Sequence, residues 1–305
     1  MAPDTEAAVP PEPAAAPCLA VDVGGTKLAV GLVDAQGRLH QRLATPTPPT
    51  SDPEALFTAL AGLVERLRPF DRFAVCGVGC GGPMTAGGVL VSPLNIPAWR
   101  SFPLRDRLAR LTGLPTFVDN DAKALALGEG WVGAAVGERD YMALVVSTGI
   151  GGGIVLDGRL LEGHTGNAGH VGHVIVSFPG RPLANHVTGG LEAEASGTAL
   201  VAHSGRPAAE ATTAEIHEAG TLVGRAAGSV ANLLDLKLVV VAGSVALGFG
   251  EPFFAAAQAE VDRVCQLDYS RGTHIRPAGC GDEGPLIGAA AVGRRGLGLP
   301  VGIIR

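Results

Sequence analysis

Two glycine-rich segments far apart in the chain carry residue types that suit a polyphosphate. The first is Asp22-Val23-Gly24-Gly25-Thr26-Lys27, and the second is Ser147-Thr148-Gly149-Ile150-Gly151-Gly152-Gly153. Glycine lets a backbone turn sharply and bring its N–H groups close to an anion. Thr26, Ser147 and Thr148 add hydroxyl donors. Asp22 adds a carboxylate able to hold a magnesium ion or its waters. Lys27 reads either as a phosphate ligand or as a solvated side chain beside the turn. One such turn would be a weak signal. Two suggest a single polyphosphate gripped from both sides, the layout of a two-lobed kinase.

Each turn follows an apolar run, 18–21 and 142–146, that reads as a buried strand. Residues 19–33 read as strand, turn and strand. Leu56, Leu60, Leu63 and Leu67 recur at helical spacing over 52–67. Strands are expected at 73–78, 116–118 and 238–242, and helices at 122–127, 192–203, 213–234 and 251–267. This order implies two α/β lobes with mostly parallel crossovers.

A chain of 305 residues is long enough for two core-bearing lobes. The formal net charge of −6 comes with no basic stretch, which argues against nucleic acid as a partner. Five scattered cysteines without pairing rhythm point to a reducing, cytoplasmic setting. No apolar run is long enough for a membrane span, and no secretion signal is read. Residues 1–17, rich in Pro and Ala, read as a disordered tail.

Taken together, the motifs resemble those of the ROK family (repressors, open reading frames and kinases) within the actin-like, hexokinase-type ATPase fold. The likeness rests on several segments in order. Asp22 to Lys27 resembles the first phosphate loop, and Ser147 to Gly153 the second. Gly77-Val78-Gly79-Cys80-Gly81-Gly82-Pro83 resembles the glycine-proline turn, and Ser92-Pro93-Leu94-Asn95 the segment whose asparagine touches the sugar. Asp119-Asn120-Asp121-Ala122 resembles the catalytic segment, Ala242-Gly243-Ser244-Val245 the adenosine-side turn, and Gly288-Ala289-Ala290 the start of the closing helix. The resemblance implies a small lobe over 18–119, completed by a C-terminal helix over 288–305, and a large lobe over 120–287.

The resemblance also implies transfer of the ATP γ-phosphoryl group to a sugar hydroxyl, usually at carbon 6, with Asp121 as general base. A helix N-cap is the alternative reading of Asp121, shared with Asp119 and Asn120. Donor contacts are expected from Asp22, Gly24, Gly25, Thr26, Lys27, Thr148, Gly149, Gly243 and Ser244, with Mg2+ held by Asp22 through water. Sugar contacts are expected from Gly82, Asn95, Asn120, Asp121, His170, His173 and Glu192. Two departures stand out. Relatives often carry three cysteines that, with the histidine matching His173, hold a structural zinc; Leu183, Asn185 and Gly190 occupy those positions here. None supplies a thiolate, so no zinc is expected. A substitute site from His164, His170, His173 and His186 is a weaker alternative. His170 also stands where a sugar-binding glutamate is common, and imidazole offers fewer acceptors than carboxylate. Glucose, N-acetylated hexosamines and 3-amino-3-deoxyglucose (kanosamine, in an antibiotic pathway) all remain open as acceptors. So does polyphosphate as an alternative donor. A sugar-binding regulatory protein without a DNA-binding domain is the non-enzymatic alternative. Similarity to ROK proteins further implies a homodimer or homotetramer.

Overall fold

The computed structural model describes residues 13–183 and 186–304. Residues 1–12 of the tail and Asn185 therefore lie outside the described residues. The first half comprises β1 (Cys18–Val23), β2 (Lys27–Val33), β3 (Leu39–Pro46), α1 (Pro53–Glu65), β4 (Val75–Cys80), α2 (Leu104–Thr112) and β5 (Thr116–Asn120). The second comprises α3 (Asp121–Val132), β6 (Tyr141–Val146), β7 (Ile150–Leu156), β8 (Arg159–Leu160), α4 (Leu191–Ala195) and α5 (Gly197–Ser204). It continues through α6 (Thr213–Leu234), β9 (Leu238–Ala242), α7 (Ser244–Phe249), α8 (Glu251–Val264), β10 (His274–Pro277) and α9 (Gly284–Gly296).

The strands form two five-stranded sheets, ordered β3-β2-β1-β4-β5 and β10-β9-β6-β7-β8. Read from the other edge, the second has the topology of the first. In each, an antiparallel three-stranded meander is followed by two parallel strands. The expectation of mostly parallel crossovers is thus corrected: half of the pairings are antiparallel, because each glycine-rich turn joins adjacent strands directly as a hairpin. The two turns consequently occupy equivalent places, between β1 and β2 and between β6 and β7.

Local chemistry accounts for the helices. Asp52 caps α1 by accepting from the Glu54 N–H at 2.9 Å, with Pro53 in the first turn. Leu56, Leu60 and Leu63 are buried, as their spacing requires. Thr212 and Glu215 form a reciprocal capping box on α6. The helix expected over 192–203 is two helices, since Ser196 leaves helical geometry and caps α5 through the Ala199 N–H at 3.1 Å. α8 stops at Val264 rather than 267, and α9 runs Gly284–Gly296 rather than 288–305.

Two helices exchange partners between the sheets. α9 leaves the second sheet yet packs on the first, where Leu286, Ala289 and Ala290 join Cys18, Ala20 and Val75. α3 leaves the first sheet and packs on β6 and β7 of the second. The two helices also lie against each other, with Gly288 at the contact: a Cβ there would stand 2.4 Å from the Ala124 carbonyl oxygen. Such an approach excludes any side chain. Gly288→Ala should therefore part the helices and lower unfolding free energy by about 1–3 kcal/mol. A urea-denaturation midpoint equal to wild type would show that the crossing tolerates a methyl group.

Candidate active site

A cleft of about 660 Å³ lies between the two sheets, and both glycine-rich turns line it. Of the expected donor residues, Asp22, Gly24, Gly25, Thr26, Lys27, Thr148, Gly149, Gly243 and Ser244 all face it. Of the expected sugar residues, Gly82, Asn95, Asn120, Asp121, His170 and Glu192 do so. His173 is not among the lining residues. Its ring stands edge-on to that of His170, centroids 6.0 Å apart.

The turns are held from behind. Thr47, following β3, donates its hydroxyl to the Gly24 carbonyl (2.7 Å) and its N–H to the Thr26 carbonyl (3.0 Å). In the second turn the start of α5 binds the Ser147 and Thr148 carbonyls through the Gly197 and Thr198 N–H groups, at 2.8 and 3.2 Å. Carbonyl oxygens occupied this way are removed from an incoming anion. The hydroxyls of Ser147 and Ser244 meet at 3.0 Å, joining the second turn to the turn after β9. Gly243 opens that turn at φ 104°, where a Cβ would stand 2.2 Å from the Val146 carbonyl oxygen, so only glycine fits.

Between the turns sit two carboxylates. Gly79 of β4 lies between them: a Cβ there would be 3.8 Å from the Asp121 Cα and 3.9 Å from an Asp22 carboxylate oxygen. Burial, reinforced by the nearby Asp121 charge and opposed by Lys27 and Arg42, pushes the Asp22 carboxyl up to about 7. Burial raises Asp121 as well, against the Ala122 N–H that binds it at 2.9 Å. Two acids crowded in a cleft are relieved by a divalent cation, so the donor set fits Mg2+ at Asp22.

The helix cap falls to Asn120, not Asp121. The Asn120 Oδ1 accepts from the Ala122 N–H at 3.0 Å, which leaves Asp121 as the first residue of α3. The Asn120 amide nitrogen then faces Gly82 with His170. A Cβ on Gly82 would stand 3.3 Å from Asn120 Nδ2 and 3.5 Å from His170 Nε2. Burial, aided by His173, holds His170 below the usual imidazole value despite Asp121 and Glu192. Glu192 accepts from the Ile150 N–H at 2.7 Å. Behind this face, buried Lys123 of α3 pairs with Asp119 at 3.0 Å and with Glu162, which also pairs with Arg295 of α9 at 2.7 Å.

The ROK family model matches residues 18–295. The chain belongs to the ROK family. It is 37% identical over 292 residues to an N-acetylmannosamine kinase of Citrobacter koseri, covering 89% of this chain and 97% of the relative. A ROK hexokinase from Thermus thermophilus superposes with a TM-score of 0.79 at 34% identity, covering 92% of this chain and 99% of that one. A ROK family glucokinase from Streptomyces griseus, solved with glucose and AMPPNP, gives a TM-score of 0.79 at 27% identity, again covering 92% and 99%. The two sheets and their exchanged helices are accordingly the two-lobed, actin-like ATPase fold of hexokinase type.

This ROK protein holds the loop expected to lack zinc in a different manner. Leu183 is buried against Gly190, where a Cβ would lie 2.4 Å from the leucine Cδ1. Buried Glu194 accepts from the Arg181 N–H at 2.5 Å and from its guanidinium at 2.7 Å. Among the described residues no three His, Cys, Asp or Glu side chains gather as metal ligands, so the four-histidine alternative is not assembled there. Sequence reasoning also passed over Thr47 and the cleft residues Leu247, Gly248, Asp282 and Pro285. Only their positions after β3, after β9 and around the start of α9 single them out, and that requires the fold.

The raised Asp22 has a consequence for stability. An acid whose pKa rises from 3.8 to about 7 on folding stabilises the fold fully below 3.8, and that contribution is lost as pH climbs through 7. Asp22→Asn removes the charge. In the absence of magnesium and nucleotide, its stability gain over wild type should grow between pH 4 and pH 8, by no more than about 4 kcal/mol. Melting temperatures of both proteins at the two pH values check this; a pH-independent difference would place Asp22 at its ordinary pKa.

Proposed function

We propose that this protein is an ATP-dependent sugar kinase that phosphorylates the 6-hydroxyl of an N-acylated amino hexose, N-acetylmannosamine foremost. The observation that carries the reading is one cleft lined by two equivalent phosphate turns, a half-buried carboxylate at the start of α3, and a cluster of sugar-type ligands beside it. The printed activity of the Citrobacter koseri relative supports the acceptor, and the AMPPNP complex of the Streptomyces griseus neighbour supports the donor.

In this reading the first and second turns grip the donor phosphates from opposite lobes, and the turn at Gly243 and Ser244 takes the nucleoside side. Asp22 would hold Mg2+, which would supply charge to offset that of the phosphates. Asp121 orients the acceptor hydroxyl and takes its proton late, when the loose transition state has made it acidic. Its raised pKa makes it a better base than a solvated aspartate. Asn95, Asn120 and Glu192 bind the sugar hydroxyls, and His173 backs His170. We take residues 18–119 with α9 as one body and the remainder as the other, closing on the acceptor to exclude water.

A neutral His170 offers one donor and one acceptor to the substituent at carbons 1 and 2. That suits an uncharged acetamido group. A protonated ring would instead favour an amino sugar whose ammonium lies away from it, at carbon 3 as in kanosamine, and the lowered imidazole pKa works against that protonation.

The test is an ATP-coupled assay across N-acetylmannosamine, mannose, N-acetylglucosamine, glucose and kanosamine. N-acetylmannosamine should give the highest kcat/KM, and failure to phosphorylate any of the five would overturn the reading. Asp121→Asn keeps the side-chain shape but loses the proton acceptor, so turnover should fall about 10²-fold or more with acceptor binding retained. His170→Glu should reorder the panel by about 1–3 kcal/mol in kcat/KM. An unchanged order would make His170 a bystander.

A further inference from the structure

The segment between β8 and His170 is tied to both sheets, and one side chain makes the tie across the cleft. Asn167 Oδ1 accepts from the Met84 N–H at 3.1 Å, and its Nδ2 donates to the Met84 carbonyl at 2.9 Å. One amide thus satisfies both backbone groups of a single residue on the opposite lobe. Only this orientation of the amide does so; the flipped one would set donor against donor and acceptor against acceptor. The same segment is tied to its own lobe by the Gly152 N–H to the Gly169 carbonyl at 2.8 Å, and to α3 by Lys123 Nζ to the Gly166 carbonyl at 3.2 Å.

Met84 follows the Gly82-Pro83 turn directly. That turn is bonded onward: the Ser92 N–H donates to the Pro83 carbonyl at 2.9 Å and the Leu94 N–H to the Gly82 carbonyl at 3.1 Å. Asn95 is the next residue. Asn167 therefore sits between His170, three residues ahead of it, and the chain that carries Gly82 and Asn95.

We propose that Asn167 is a positioning residue for the acceptor pocket: its paired hydrogen bonds to Met84 set the distance of His170 from Gly82 and the register of Asn95. This rests on the reading of the cleft as a sugar-kinase site. Asn167 itself does not line the cleft and touches no reacting group. Its loss should loosen acceptor recognition and leave donor recognition alone, because the phosphate turns are held by Thr47, α5 and Glu192 instead.

Two substitutions separate positioning from mere packing. Asn167→Ala removes both bonds. Asn167→Asp keeps the shape and the bond from the Met84 N–H, but sets an anionic oxygen against the Met84 carbonyl. If Asn167 only filled space, the isosteric aspartate would be the milder change. The positioning role requires the reverse order. Acceptor KM should rise about tenfold in Asn167→Ala and further in Asn167→Asp, with ATP KM within about twofold of wild type in both. Hydrogen–deuterium exchange of the peptide containing Met84 should accelerate in both variants, a reading that needs no substrate. If wild type phosphorylates no sugar while that exchange still accelerates, the kinase reading fails and the tie across the lobes stands. Wild-type exchange at Met84, or acceptor KM unmoved in both variants, overturns the proposal. Should Asn167→Asp fold poorly, Asn167→Ala carries the exchange and KM readings alone.

Discussion

The crossing of α3 and α9 is the constraint on which the rest of the molecule depends. Each helix leaves one sheet and covers the other, so neither half of the chain completes its own core. They meet where Gly288 admits the Ala124 backbone with no room for a side chain. Close packing of this kind is bistable rather than yielding: it holds a small set of interhelical arrangements and resists those between. Asp121 opens α3 three residues before that contact, so its placement depends on the same crossing that joins the lobes.

The equivalence of the two sheets explains why two phosphate-type turns exist at all. Each turn is the first hairpin of a meander in the same topology, and each sits at the end of a buried central strand. Facing one another across the cleft, the two hairpins present glycines and hydroxyls to the same volume. They are nonetheless supported by different means, Thr47 for the first and α5 with Glu192 for the second. The topology repeats while the side-chain support has diverged. That is the pattern expected when backbone geometry does the binding and the surrounding residues need only keep carbonyl oxygens out of the way.

Much of the site was legible because its residues are punctuated by glycine and polar groups against apolar runs. Asp22 to Lys27, Asp119 to Ala122 and Ser147 to Gly149 each mark a strand end, and a strand end is where an α/β cleft forms. What stayed hidden is tertiary. β7 carries three successive glycines, which weaken the strand signal, and its pairing with β6 and β8 makes it a strand. Asn120 and Asp121 compete for one cap, and the choice depends on which backbone N–H each oxygen reaches, a matter of torsion angles. His173 reads as a sugar ligand by its neighbours, but that the turn over 171–173 sets its ring edge-on to His170 is not visible in the sequence. Asn167 has no local signal at all, because its partner lies 83 residues away.

The loop between His173 and Glu192 is held by packing and by hydrogen bonds to one buried carboxylate. A structural zinc contributes folding free energy of roughly 10 kcal/mol or more at a single point. Here the hold is spread over a buried leucine on a glycine and a carboxylate that binds both the backbone and the side chain of Arg181. Glu194 is buried while the arginine is 42% exposed, so the pair gains little from low dielectric on one side and is screened on the other. The backbone bond from the Arg181 N–H is the better-protected half, since it does not depend on where the guanidinium points. Glu194 lies two residues beyond Glu192 on α4, and Glu192 fixes the second phosphate turn at Ile150. Through that one short helix, the loop is tied to the second glycine-rich turn.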